Sequence, residues 1–138
     1  MSPPRAAPIL VVAVLVTGCA VGPRGDVASW YGRWHHGRPT ASGERFDMEA
    51  LTAAHRSLPL GTCLEVIHRE SGRRVYVRVN DRGPYVAGRT IDLSRGAAEE
   101  LRIVDDGVAP VTIRKAQANA CRNSRIARGP SRSTSSER

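Results

Sequence analysis

Three side chains stand in settings suited to proton chemistry: Asp81 in Asn80-Asp81-Arg82-Gly83-Pro84, Glu44 in Thr40-Ala41-Ser42-Gly43-Glu44, and His55 in Leu51-Thr52-Ala53-Ala54-His55. A carboxylic acid that begins protonated can donate to a leaving oxygen, and the carboxylate left behind can take a proton back. Asp81 is the most pointed of the three. It falls where an alternating run, Val75, Val77 and Val79, must leave its sheet, because Gly83-Pro84 cannot continue a ladder. An acid at such an exit is held rigidly and still faces outward. Glu44 follows Ser42-Gly43, turn residues that present it from a loop. Each residue also has a plainer reading taken alone: a solvated glutamate, a packed histidine, a turn aspartate.

Five strand signals surround these residues: Val27 to Tyr31, Thr62 to His68, Arg73 to Asn80, Thr90 to Leu93, and Ala109 to Lys115. Ser71-Gly72 makes the second and third a hairpin. Two short helices fit between strands. Asp47 can cap one over Met48 to His55, where Met48, Leu51 and His55 share a face, and Ser94 can cap another over Arg95 to Arg102. Short strands punctuated by turns predict a mainly β fold, a small barrel rather than a parallel α/β sheet. Asp92, in Thr90-Ile91-Asp92-Leu93, is expected to brace that barrel.

The ends of the chain carry different information. Residues 1–18 read as a secretory signal, with Arg5 early and an apolar run from Ile9 to Val16. That run is far short of the ~20 residues needed to span a bilayer. Val16-Thr17-Gly18-Cys19 resembles the lipobox of bacterial lipoproteins, which makes Cys19 a lipidation site. Residues 19–26 are then a tether to the membrane, residues 27–116 the folded domain, and residues 117–138 a basic, disordered tail. The alternative is an ordinary signal that ends near a cysteine. Ala20 is not the aspartate of an inner-membrane retention signal, so the periplasmic face of the outer membrane is favoured over the inner.

Cys63 and Cys121 would share an oxidising compartment, where they can bridge or stay as two thiols. A bridge closing a loop of about 59 residues is worth ~4 kcal/mol in the chain-entropy model. The net charge of +8 is uneven along the chain. Residues 26–116 hold 14 Lys and Arg against 12 Asp and Glu, net +2, whereas residues 117–138 hold five Arg against one Glu, net +4. A nearly neutral, secreted domain without a recognition motif argues against nucleic acid.

Trp30, Tyr31 and Trp34 cluster in a chain with six aromatics (two Trp, three Tyr, one Phe). Such rings can stack on sugars, and Trp30 or Tyr31 can equally belong to the core. His35-His36 has no spaced partners for zinc, and no phosphate-binding glycine loop or serine elbow is present. No metal and no cofactor is expected.

The ordered set Ala28-Ser29-Trp30-Tyr31-Gly32, Thr40 to Glu44, Leu51 to His55, Leu58-Pro59-Leu60-Gly61-Thr62, Val77 to Pro84 and Ile91-Asp92-Leu93-Ser94 closely resembles the RlpA (rare lipoprotein A) family. The resemblance implies a six-stranded double-psi β-barrel with two short helices; the sixth strand comes from the family alone. It also implies a periplasmic lytic transglycosylase acting on peptidoglycan glycan strands stripped of stem peptides. The family's functional acid, histidine and second acid fall on Glu44, His55 and Asp81, with Asp81 or Glu44 as the acid/base. An acid/base there would need a raised pKa, which burial or a neighbouring carboxylate can supply. Trp30, Tyr31, Trp34, Asn80 and Arg82 are assigned to substrate contact, and a monomer is expected. Relatives often carry a C-terminal SPOR domain; here a basic tail stands instead. The competing reading is a non-catalytic, expansin-like protein that grips the wall, and a hydrolase is a third.

Overall fold

The computed structural model describes residues 25–128, with side chains through residue 124. The expected signal segment, Cys19 and the tail beyond residue 128 lie outside the described residues. Six strands close into a ring: β1 (Asp26–Tyr31), β2 (Thr52–His55), β3 (Cys63–His68), β4 (Arg74–Asp81), β5 (Ile91–Ser94) and β6 (Val108–Lys115). Around the barrel the order is β1-β5-β2-β4-β3-β6. The pairs β1–β5 and β2–β4 are parallel and the other four antiparallel; β3 and β4 form the hairpin expected at Ser71-Gly72, while the parallel pairs require connections that cross the barrel. This is a double-psi β-barrel.

Alternation builds the core. Val75, Val77 and Val79 of β4 face Leu64 and Val66 of β3 and Ile91 and Leu93 of β5, all shut away from water. Each such side chain contributes about 1.5–3 kcal/mol by burial. Helix α1 (Arg95–Leu101) closes one side of the barrel with Ala97, Ala98 and Leu101. Ser94 caps it as expected, accepting from the Ala97 N–H at 3.2 Å.

Two expectations are corrected. The helix expected over Met48 to His55 does not form; Thr52–His55 is the missing strand, β2. It lies between β4 and β5, and Thr52, Ala53 and Ala54 are all buried. A strand buried on both faces shows no alternation, and its two alanines satisfy helix propensity equally well. The second correction concerns the tail. Residues 118–128, expected to be disordered, form helix α2 (Ala118–Arg128). Cys121 of this helix is bonded to Cys63 of β3, with 5.9 Å between their Cα atoms, so the bridge exists and pins α2 to the outside of the barrel.

Candidate active site

The strand register sets the site. On neighbouring strands β1, β5, β2 and β4, Ser29 stands level with Asp92, Asp92 with Ala54, and Ala54 with Asp81. Their neighbours Ala28, Ile91, Leu93, Ala53 and Val79 fill the core, so this row lies on the outer face. Ser29 donates from its hydroxyl to Asp92 Oδ1. Asp92 therefore braces two strands, as expected of it.

Asp81 joins this row because of a bulge. Ala53 pairs with Val79, but Ala54 pairs with Asp81, which leaves Asn80 as an extra residue in β4. Without it, Arg78 and Asp81, three residues apart, would face opposite sides of the sheet. With it, both face outward. Beyond Asp81 the chain turns at Gly83, whose φ of 118° suits a residue without a side chain.

Glu44 arrives from a loop closed by a bridge between Pro39 and Arg45. Gly43, at φ 87°, completes the turn by donating its N–H to Thr40 O at 3.0 Å. The loop is fastened to the end of β4 at two points. Ser42 N–H donates to Asn80 O at 3.1 Å, and Ala41 N–H donates to Asp81 Oδ1 at 3.0 Å. Asp81 Oδ1 also accepts from Arg82 N–H at 2.8 Å, so one carboxylate oxygen is fixed by two backbone donors. Among the described residues, Oδ2 has no hydrogen-bond partner.

The two acids thus share a loop but differ in environment. Arg78 binds Glu44 with both terminal nitrogens, at 2.6 and 3.1 Å, and Ser42 donates to it at 3.2 Å. The Arg78 hydrogen bond, helped by Asn80, Ser42 and the guanidinium charge, outweighs partial burial and holds Glu44 below its ordinary carboxylate value. Glu44 is ionised over the whole neutral range. Arg78 carries no signal in the sequence that would pair it with a residue 34 positions away.

His55 ends β2 rather than the helix expected for it. Its Nδ1 accepts from the N–H groups of Ser57 and Leu58, at 3.2 and 3.1 Å, which closes the loop after β2. The ring therefore carries its proton on Nε2 when neutral. Burial, then the positive charge of Arg56, lowers its pKa. No hydrogen bond joins His55 to Asp81 or Glu44 among the described residues.

Of the residues assigned to substrate contact, three have partners within the protein. Trp30 packs against the core and donates its indole N–H to Val104 O at 3.2 Å. Asn80 is only 2% exposed and supports Glu44 from beneath. Arg82 donates to Leu58 O at 2.7 Å and to His55 O at 3.2 Å, so its charge fastens the same loop that His55 closes. Tyr31 stacks on Phe46, ring centroids 4.4 Å apart, with His35 edge-on. Its hydroxyl is buried without a partner, and burial followed by the charges of Asp81 and Asp92 raises its pKa, so the phenol stays protonated. Trp34 alone of the three expected aromatics is open, at 85% exposure. Tyr85, which the sequence reading passed over, is 79% exposed just past the Asp81 turn. An aromatic directly after the Gly83-Pro84 turn that follows a candidate acid was the signal available for it. Among the described residues, no group of three His, Cys, Asp or Glu side chains is placed to hold a metal ion.

Fold and site together define a double-psi β-barrel in which one loop fastens two carboxylates, Glu44 and Asp81, at the end of β4. The family model described as lytic transglycolase matches residues 25–113, and the chain belongs to this family, the RlpA family of its curated relatives. It is 51% identical over 107 residues, 78% of its length, to a probable endolytic peptidoglycan transglycosylase RlpA of Treponema pallidum. It is 60% identical over 89 residues to a protein of the same description from a Nostoc species. The matched regions span 33% and 24% of those two relatives, so the chain corresponds to a third or less of their length. Among solved structures, an expansin of Clavibacter michiganensis in complex with cellohexaose matches with a TM-score of 0.55 at 19% identity. That match covers 67% of this chain and 50% of the expansin, and shows the shared fold.

Proposed function

We propose that this domain cleaves the glycan strands of peptidoglycan as a lytic transglycosylase, with Asp81 acting first as acid and then as base. The observation that carries the reading is the contrast between the two carboxylates. Glu44 is held ionised by Arg78 through both oxygens, whereas Asp81 is fixed through Oδ1 alone and its Oδ2 is left to face a ligand. The names of the curated relatives, endolytic peptidoglycan transglycosylases, support the substrate and reaction.

In this reading the Asp81 carboxyl donates its proton to the oxygen linking N-acetylmuramic acid to N-acetylglucosamine. The bond from that oxygen to C1 breaks and an oxocarbenium-like centre forms. The Asp81 carboxylate then takes the proton of the muramic 6-hydroxyl as its oxygen bonds to C1, closing a 1,6-anhydro ring without water. Glu44 accepts hydrogen bonds from the sugar and stabilises its developing positive charge. His55 and Arg82 hold the loop after β2, and Trp34 and Tyr85 offer faces for sugar rings. The preferred substrate is glycan free of stem peptides.

Mass spectrometry of peptidoglycan incubated with the protein tests this. Anhydro-ended fragments are expected from the parent, reduced about 10²–10⁴-fold in Asp81→Asn. Reducing ends would make it a hydrolase, and glycan binding without cleavage an expansin-like protein. The same reading has the domain act as a monomer at the periplasmic face of the outer membrane, anchored by acyl chains on Cys19. Palmitate labelling that persists in Cys19→Ala would refute that anchor.

A further inference from the structure

A small cavity of about 200 Å³ opens where α2 meets the barrel, lined by Gly61, Cys63, Arg78, Ala118, Cys121 and Arg122. Two guanidinium groups from different elements line it, and no acidic side chain does. Arg78 comes from β4, level with Cys63, and its charge is balanced by Glu44. Arg122 comes from α2, one residue past the disulfide that fixes the helix, and is exposed. Among the described residues Arg122 has no hydrogen bond or ion pair, so the cavity carries one uncompensated positive charge.

Size and position narrow the occupant. Sites for drug-sized ligands run to about 300–1,000 Å³, so this cavity takes a substituent rather than a sugar ring. Arg78 lines the cavity and also holds Glu44, so the cavity adjoins one of the two acids and a glycan bound there can reach it with a substituent. A muramic acid freed of its stem peptide carries such a group, a three-carbon lactyl ether ending in a carboxylate. We infer that the cavity is a carboxylate subsite for the free lactyl group of muramic acid, with Arg122 supplying the pairing charge. The inference rests on the reading of the protein as acting on peptidoglycan. It involves a segment outside the family match, which ends at residue 113, before α2 begins at Ala118.

The test is calorimetric binding to the full chain carrying Asp81→Asn, with and without Arg122→Gln. Three glycans serve as probes: denuded strands, the same strands with lactyl carboxylates capped as neutral amides, and strands with intact stem peptides. Denuded glycan should bind about tenfold tighter than either of the others, as a charge-assisted hydrogen bond requires. Arg122→Gln should remove that preference and Arg122→Lys restore much of it. Equal binding of capped and denuded glycan overturns the subsite, as does a preference that survives Arg122→Gln. Intact strands binding as tightly as denuded ones would assign the carboxylate to the stem peptide and also overturn it. A carboxylate preference in a parent that makes no anhydro product leaves the subsite standing and removes the enzyme. Cleavage by the parent without that preference does the reverse.

Discussion

In the barrel, Leu64, Val66, Val77, Val79, Ile91 and Leu93 are closed off from water on every side; in α2, through residue 124, only Cys121 is buried. The barrel is held by apolar area removed from water, and α2 by a covalent bond to it. A helix with so little buried surface does not stay docked on propensity alone. An element attached in this way can be added without altering the core. Asp81 stands at the end of a barrel strand and Glu44 on the loop fastened to it, while the cavity beside Arg78 stands on the seam between the two regions.

Substitutions should separate the two kinds of support. Leu64→Ala removes a fully buried side chain from the middle of the barrel and should cost about 2–5 kcal/mol, read as a lower denaturant midpoint. A loss below about 1 kcal/mol would mean the core is not the principal support. Replacing Cys63 and Cys121 together by alanine should cost about 2–4 kcal/mol, chiefly through the unfolded chain. The helical signal of α2 should vanish while the barrel's amides stay protected from hydrogen exchange. Global loss of that protection at 25 °C would break the comparison.

The smallest effect belongs to the rim of the barrel. His55 has its pKa lowered from the ordinary 6.5, so the unfolded chain binds the proton more readily than the folded one. Its contribution is complete above pH 6.5 and declines as pH falls from there toward the folded value. His55→Asn keeps an acceptor near Nδ1 for the Ser57 and Leu58 N–H groups but cannot titrate. Its melting temperature should therefore fall less than the parent's on acidification below pH 6.5, by about 1–3 °C. Parallel acid profiles for the two proteins would remove His55 as the source.

Five strands were legible because each alternates or ends at Gly or Pro, and a two-residue period in one dimension already specifies which face is buried. The sixth was not, since Thr52, Ala53 and Ala54 are buried alike, between partners 26 to 40 residues away by register. The candidate acids were legible from local chemistry: a turn before Glu44, a strand exit at Asp81. Their difference in partners was not. It depends on Arg78 reaching Glu44 and on a bulge that turns Asp81 to the same face. The internal hydrogen bonds of Trp30 and Arg82 were not legible either, because a side chain's type does not reveal whether a carbonyl such as Val104 O or Leu58 O lies within reach.

The sequence by itself determined the strands of the core, the cap at Ser94, the identity of the two acids and the family to which they belong, since these rest on residue type and spacing along the chain. Tertiary structure alone decided that Thr52–His55 is a strand, that Glu44 is ionised and fastened beside the end of β4, and that a polar segment becomes α2. Each of these depends on a partner distant in sequence, brought near only when the barrel closes, and no local pattern encodes a contact whose other half lies elsewhere in the chain.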